Sequence, residues 1–106
     1  MNILITSSAR KTNLVRYFRR ALYNEGGGRL FVSDTDACSH TSYFADEFFQ
    51  SPASNSDYYA AWLIDIIKRY KIQLIIPSRD AELAVFARLK RQLEGEYRCV
   101  VMCADE

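Results

Sequence analysis

Short apolar runs alternate along this chain with longer stretches in which apolar side chains recur every third or fourth position. Met1 to Thr6, rich in Ile and Leu, predicts a buried strand of a parallel sheet, because such strands are covered on both faces and lose the alternation of half-exposed ones. After the polar loop Ser7 to Lys11, Thr12 or Asn13 can cap a helix. Its apolar positions Leu14, Val15, Phe18, Ala21 and Leu22 keep helical spacing as far as Gly26-Gly27-Gly28. Arg29 to Ser33 predicts the second strand, with Asp34 and Asp36 following its carboxyl end. Cys38 to Ala45 suits one or two helical turns, and Glu47 to Gln50 a short edge strand stopped by Ser51-Pro52. Asp57 opens a helix ending near Tyr70, in which Tyr58, Ala61, Trp62, Ile64, Ile66 and Ile67 form an apolar stripe opposite Lys68, Arg69 and Lys71. Ile72 to Ile76 predicts a buried strand that runs into Pro77-Ser78-Arg79-Asp80. Asp80 then caps a helix with Leu83, Val85, Phe86, Leu89 and Leu93 apolar and Gly95 closing it, and Tyr97 to Met102 is the last strand.

Strands alternating with helices imply crossover connections and a parallel sheet covered on both faces. The expected architecture is a Rossmann-like three-layer α/β/α domain with a five-stranded parallel sheet in the order 3-2-1-4-5, occupying residues 1–106 as one unit. In such sheets a ligand sits outside the carboxyl ends of the strands where the winding reverses, here between the first and fourth strands. The loops Thr6 to Lys11 and Pro77 to Glu82 flank that crevice.

Charge changes this picture little. Fourteen Lys and Arg stand against 13 Asp and Glu, so no global field recruits nucleic acid or an anionic membrane surface. Arg16, Arg19 and Arg20 interleave with Tyr17 on the first helix, but the balanced total argues against nucleic-acid binding there. The basic amino-terminal residues are followed by residues 30–57, which carry Asp34, Asp36, Asp46, Glu47 and Asp57 and no Lys or Arg. That asymmetry either orients a polar ligand or reflects solvated surfaces. Three cysteines, Cys38, Cys99 and Cys103, without a C-x-x-C spacing, a signal segment or a membrane-length apolar run, fit reduced thiols in a cytoplasmic protein.

The chemistry available at the crevice is polar and anion-directed. A dinucleotide site needs glycines in the first loop, and this loop has none, the four glycines being Gly26, Gly27, Gly28 and Gly95. Ser7, Ser8, Arg10 and Lys11, together with the free amides opening the first helix, can hold a phosphate or carboxylate, or can simply satisfy the loop backbone and water. Asp34 and Asp36 stand at the second strand's exit, where Asp34 either meets a ligand hydroxyl or caps the following turn. Across the crevice, Ser78, Arg79, Asp80 and Glu82 offer both signs of charge, which suits an amino-acid-like ligand, while capping is the competing role of Asp80. His40 has no partner at ligand spacing, so neither a metal site nor a catalytic triad is assigned.

Four local patterns give the chain a family resemblance. Asn2-Ile-Leu-Ile-Thr-Ser7 with its basic pair and Leu14-Val15-Arg16-Tyr17-Phe18, then Ser33-Asp34-Thr35-Asp36, then Ala45-Asp46-Glu47-Phe48 through Pro52, then Ile75-Ile76-Pro77-Ser78-Arg79-Asp80-Ala81-Glu82-Leu83, span nearly its whole length. Together they resemble the amino-terminal, pre-ATP-grasp domain of ATP-grasp ligases, especially proteins similar to the carbamoyl phosphate synthase large subunit and the pyrrolysine-pathway ligase. The family pattern T-S-A-G-R-R is altered here, with Ser8 and Ala9 where Ala and Gly are expected, so a Cβ stands at the glycine position.

The resemblance implies a substrate-side domain that is not catalytic alone, partnered by an ATP-grasp domain in the same or a neighbouring chain. No cofactor is expected in this domain. ATP and magnesium would belong to the parent ligase, and the substrate would be a small carboxylate or amino acid. A stand-alone regulatory module binding a small anionic or nucleotide ligand in the same crevice is the alternative.

Overall fold

The chain is described by a computed structural model covering residues 1–6, 12–35, 45–53, 55–77 and 80–102, the side chains of residues 80 and 81 excepted. Among the described residues five strands and three helices follow in the order β1 (Asn2–Thr6), α1 (Thr12–Asn24), β2 (Arg29–Asp34), β3 (Glu47–Gln50), α2 (Tyr59–Tyr70), β4 (Leu74–Pro77), α3 (Asp80–Glu96) and β5 (Val100–Val101). All pairings are parallel and the order is β3-β2-β1-β4-β5, as the alternating pattern predicts. The helical turns expected over Cys38 to Ala45 lie, but for Ala45 itself, outside the described residues, as does Cys103.

Alternation along the strands sorts the core into two layers. Ile3 and Ile5 of β1, Leu30 and Val32 of β2 and Ile76 of β4 pack with Val15 and Leu22 of α1. Leu4, Phe31 and Ile75 face the other way, onto Tyr59, Leu63, Ile66 and Ile67 of α2 and Phe86 and Leu93 of α3. Because β1 is the central strand, both of its faces are buried, which explains why its sequence lacks polar alternation. Thr6 shares the α2 and α3 side with Leu4, two residues back.

Polar clasps hold the edges of this sandwich. Asn2 donates from Nδ2 to the Tyr70 carbonyl at 2.9 Å and accepts the Arg29 amide at 3.3 Å, tying the end of α2 to the start of β2. Asp46 accepts from Arg19 at 2.6 Å and from the Leu30 amide at 2.7 Å, joining α1, β2 and the approach to β3. Its carboxyl is held below the usual value: partial burial opposes this but is outweighed by the Arg19 and Leu30 hydrogen bonds and by the charges of Arg19 and Arg29. At the β5 edge the Val101 amide donates to Glu94 at 3.1 Å, covering a donor that would otherwise invite another strand. Burial, reinforced by the Glu94 charge, pushes the neighbouring Cys99 thiol up to about 12, so it behaves as a packed apolar group.

Several boundaries depart from the sequence pattern for local reasons. α2 starts without Asp57 as its cap: the Ser56 hydroxyl accepts the Tyr58 amide at 3.1 Å, and Tyr58 itself is 77% exposed. The buried face of α2 is therefore Tyr59, Leu63, Ile66 and Ile67, rotated from the predicted stripe. β4 begins at Leu74, two residues late, because Lys71 takes a left-handed conformation (φ 54°) to end α2 and the Ile72 amide returns to the Ile67 carbonyl. Gly95 does not close α3 but lies inside its last turn, and Arg98, at φ 53°, makes the reversal instead and shortens β5.

Gly26 behaves as predicted, ending α1 at φ 95° while the Gly27 amide returns to the Leu22 carbonyl at 2.8 Å. Gly28 has a second constraint. A Cβ there would collide with the Met1 carbonyl oxygen and come within 2.9 Å of Leu22 Cδ2, on a backbone with φ +145°. Gly28→Ala is expected to cost about 1–3 kcal/mol through overpacking and strain, whereas Gly95→Ala, helical and with open space around it, should gain about 0.5–1 kcal/mol. Urea unfolding midpoints check both signs.

Candidate functional site

β1 and β4 lie side by side with Thr6 opposite Pro77 in register, and the winding of the sheet reverses between them. The carboxyl ends of these strands and the amino end of α3 thus bound the crevice where an open α/β sheet takes its ligand.

Its floor is polar and closed to solvent. Glu82, in the first turn of α3, is only 2% exposed, and its carboxylate accepts two hydroxyls. Thr6 Oγ1 donates to Oε1 at 3.0 Å, and the Tyr59 hydroxyl donates to Oε2 at 3.2 Å. Three elements meet at this one group. Burying a carboxylate is costly, and two hydroxyl donors plus the partial positive charge at the start of α3 offset that cost. Burial pushes the Tyr59 phenol far above its ordinary value, the Glu82 charge and hydrogen bond push the same way, and the Thr6 hydroxyl pulls weakly against them. Tyr59 is therefore a neutral donor at every working pH.

Asp34, at the end of β2, is 5% exposed. Its carbonyl accepts the Ser51 amide at 2.8 Å and its Oδ1 lies 3.5 Å from the Thr35 hydroxyl, which locks the β2 exit beside the end of β3. Asp80 begins α3, its side chain outside the described residues. Ser7, Ser8, Arg10, Asp36, Ser78 and Arg79 lie outside them altogether. Of the candidate residues, the structure thus places Asp34 and Glu82 by their side chains, at the carboxyl ends of β2 and β4 with β1 between them.

Sequence reasoning missed Tyr59 and the inward turn of Glu82. A signal was present: Glu82, Phe86 and Leu93 fall on one face of α3, so the helix buries a charge in line with its core residues and needs hydroxyl partners there. Leu83, predicted as core, is 40% exposed for the same reason.

Two concavities among the described residues lie elsewhere. One, of about 350 Å³, runs along the outer face of α1 past Arg16, Arg19, Arg20 and Tyr23. The other, of about 390 Å³, opens at the opposite end of the sheet around Lys68, Lys71, Tyr97 and Arg98, where cations complement the carbonyl ends of α2 and α3. Among the described residues no group of three His, Cys, Asp or Glu could hold a metal ion, and no helix is long and apolar enough to cross a membrane.

The titration of Tyr59 has a measurable consequence. A phenol whose value is raised in the folded chain stabilises it fully below the unfolded value near 10, and the contribution is lost as pH rises beyond that. Urea unfolding should show stability falling above pH 10, and the Tyr59→Phe variant should show a shallower fall.

Comparison with known families finds one that fits this geometry: the sequence model of the PylC-like, N-terminal domain matches residues 3–100. A search of curated proteins returned no match.

Proposed function

Since the chain belongs to the PylC-like N-terminal domain family, a pre-ATP-grasp domain of ATP-grasp ligases, we propose that it is the substrate-side part of a carbamoyl phosphate synthase-like carboxylate–amine ligase. The match across residues 3–100 carries this reading, together with a crevice whose polar floor faces the place where ligands enter such sheets. An ATP-grasp domain, in the same or a neighbouring chain, would complete the site and perform the acyl transfer. ATP and magnesium would be held there, for the glycines that a phosphate cradle needs sit at the far end of α1 and within α3 of this chain.

The chain's own part is binding and orientation. Ser7, Ser8 and Arg10 would take a carboxylate or phosphate group, while Ser78, Arg79 and Asp80 would take the other end of a small amino-acid substrate. Asp34 and Asp36 would orient it from the β2 exit, and Glu82 would shape the floor beneath. The protein would work in the cytoplasm, with no nucleic acid or membrane partner. The alternative, a self-sufficient regulatory module, makes the opposite binding prediction.

Titration of the isolated chain with magnesium ATP, inorganic phosphate and an amino-acid set, followed by amide NMR, separates the two. The ligase reading expects no saturable shifts at Ser7, Asp34 or Ser78 and no ADP release by the chain alone. Addition of a family ATP-grasp domain should then give amino-acid-dependent ADP release that falls at least about tenfold, some 1.4 kcal/mol, in Arg10→Ala. Tight saturation by the chain alone would instead establish the module.

A further inference from the structure

The geometry points to Tyr59 and Thr6 as positioning residues that act through Glu82 to set the angle at which α3 enters the crevice. This deepens the reading above, on which its functional meaning rests.

Tyr59 touches α3 at two points one helical turn apart. Its hydroxyl donates to Glu82 Oε2 at 3.2 Å, and its ring meets Phe86 edge-on with centroids 6.1 Å apart. Two contacts four residues apart on one helix face restrain rotation of α3 about its axis as well as its distance from α2. Trp62 packs against the same tyrosine at 5.6 Å, so the ring is itself held from behind. Thr6 supplies the third point: its hydroxyl donates to the other carboxylate oxygen at 3.0 Å and ties α3 to the last residue of β1.

These three anchors surround the amino end of α3, whose first-turn backbone amides and positive dipole end lie at the crevice. A ligand group there would be held by the direction of those donors, which falls off steeply with misalignment. The wide burial of the network, with Thr6, Tyr59 and Glu82 all shielded from water, keeps the bonds from exchanging with solvent. A purely adhesive contact would need only apolar packing. Here a charge is retained in the core where an apolar residue would do for adhesion, and its two oxygens face two different elements.

Residual dipolar couplings on the full chain test the assignment, because they read helix orientation and need no ligand. Tyr59→Phe keeps the Phe86 contact and removes only the hydroxyl, while Thr6→Val removes the other anchor with shape preserved. Both are expected to rotate α3 relative to the β1–β4 pair, and Ile66→Val, a buried change two turns further along α2 that removes no hydrogen bond to Glu82, is expected to leave the angle as it is. An α3 axis unchanged in both network variants, or moved equally by Ile66→Val, overturns the proposal. Should Thr6→Val fail to fold, Tyr59→Phe decides alone. Failure of the ligase reading appears instead in the ligand titrations, so the two results are separate.

Discussion

A carboxylate taken out of water must find donors or destabilise whatever buries it, and in this chain that constraint falls on Glu82. Its two oxygens are met by hydroxyls from β1 and α2, and its own helix begins beside it with positive partial charge. The central strand and both helices of one sheet face are thereby referred to a single group. The crevice between β1 and β4 is braced by that arrangement, since Thr6 is the last residue of β1 and Glu82 lies in the first turn of α3, the helix that follows β4.

The remainder of the fold supplies a rigid frame for it. Apolar residues of the strands divide between α1 on one face and α2 with α3 on the other, and Asn2, Asp46 and Glu94 satisfy backbone groups where elements begin or end. These clasps lie mostly at the sheet's edges and its amino end, away from the crevice. Such a division suits the binding and orienting role proposed for this member of the PylC-like N-terminal domain family.

Much of the frame was legible from the pattern alone. Ile3 to Ile5 and Leu30 to Val32 read as buried parallel strands because both of their faces are covered, and the alternation of strands with helices was enough for the order β3-β2-β1-β4-β5. The errors came where a local rule met a tertiary contact. Tyr58 and Tyr59 are equivalent by composition, but only the second can reach Glu82, and that choice sets the phase of α2. Gly95 looked like a terminator, yet the cost of a left-handed arginine at position 98 is offset by the turn that returns the Cys99 amide to the Leu93 carbonyl. At the site, Asp34 was visible as a strand-end acid, whereas the partnership of Thr6, Tyr59 and Glu82 joins residues up to 76 positions apart, and only the phase of Glu82 on the core face of α3 leaves a local trace of it.

Thr6 and Tyr59 share one carboxylate at the crevice, and that sharing is energetic. A double-mutant cycle pairing Thr6→Val with Tyr59→Phe, read by urea unfolding, measures it directly, because the two residues sit on different elements and both bond Glu82. Non-additivity of about 0.5–3 kcal/mol is expected for a shared carboxylate. Additive losses, as for two independent contacts, would contradict it.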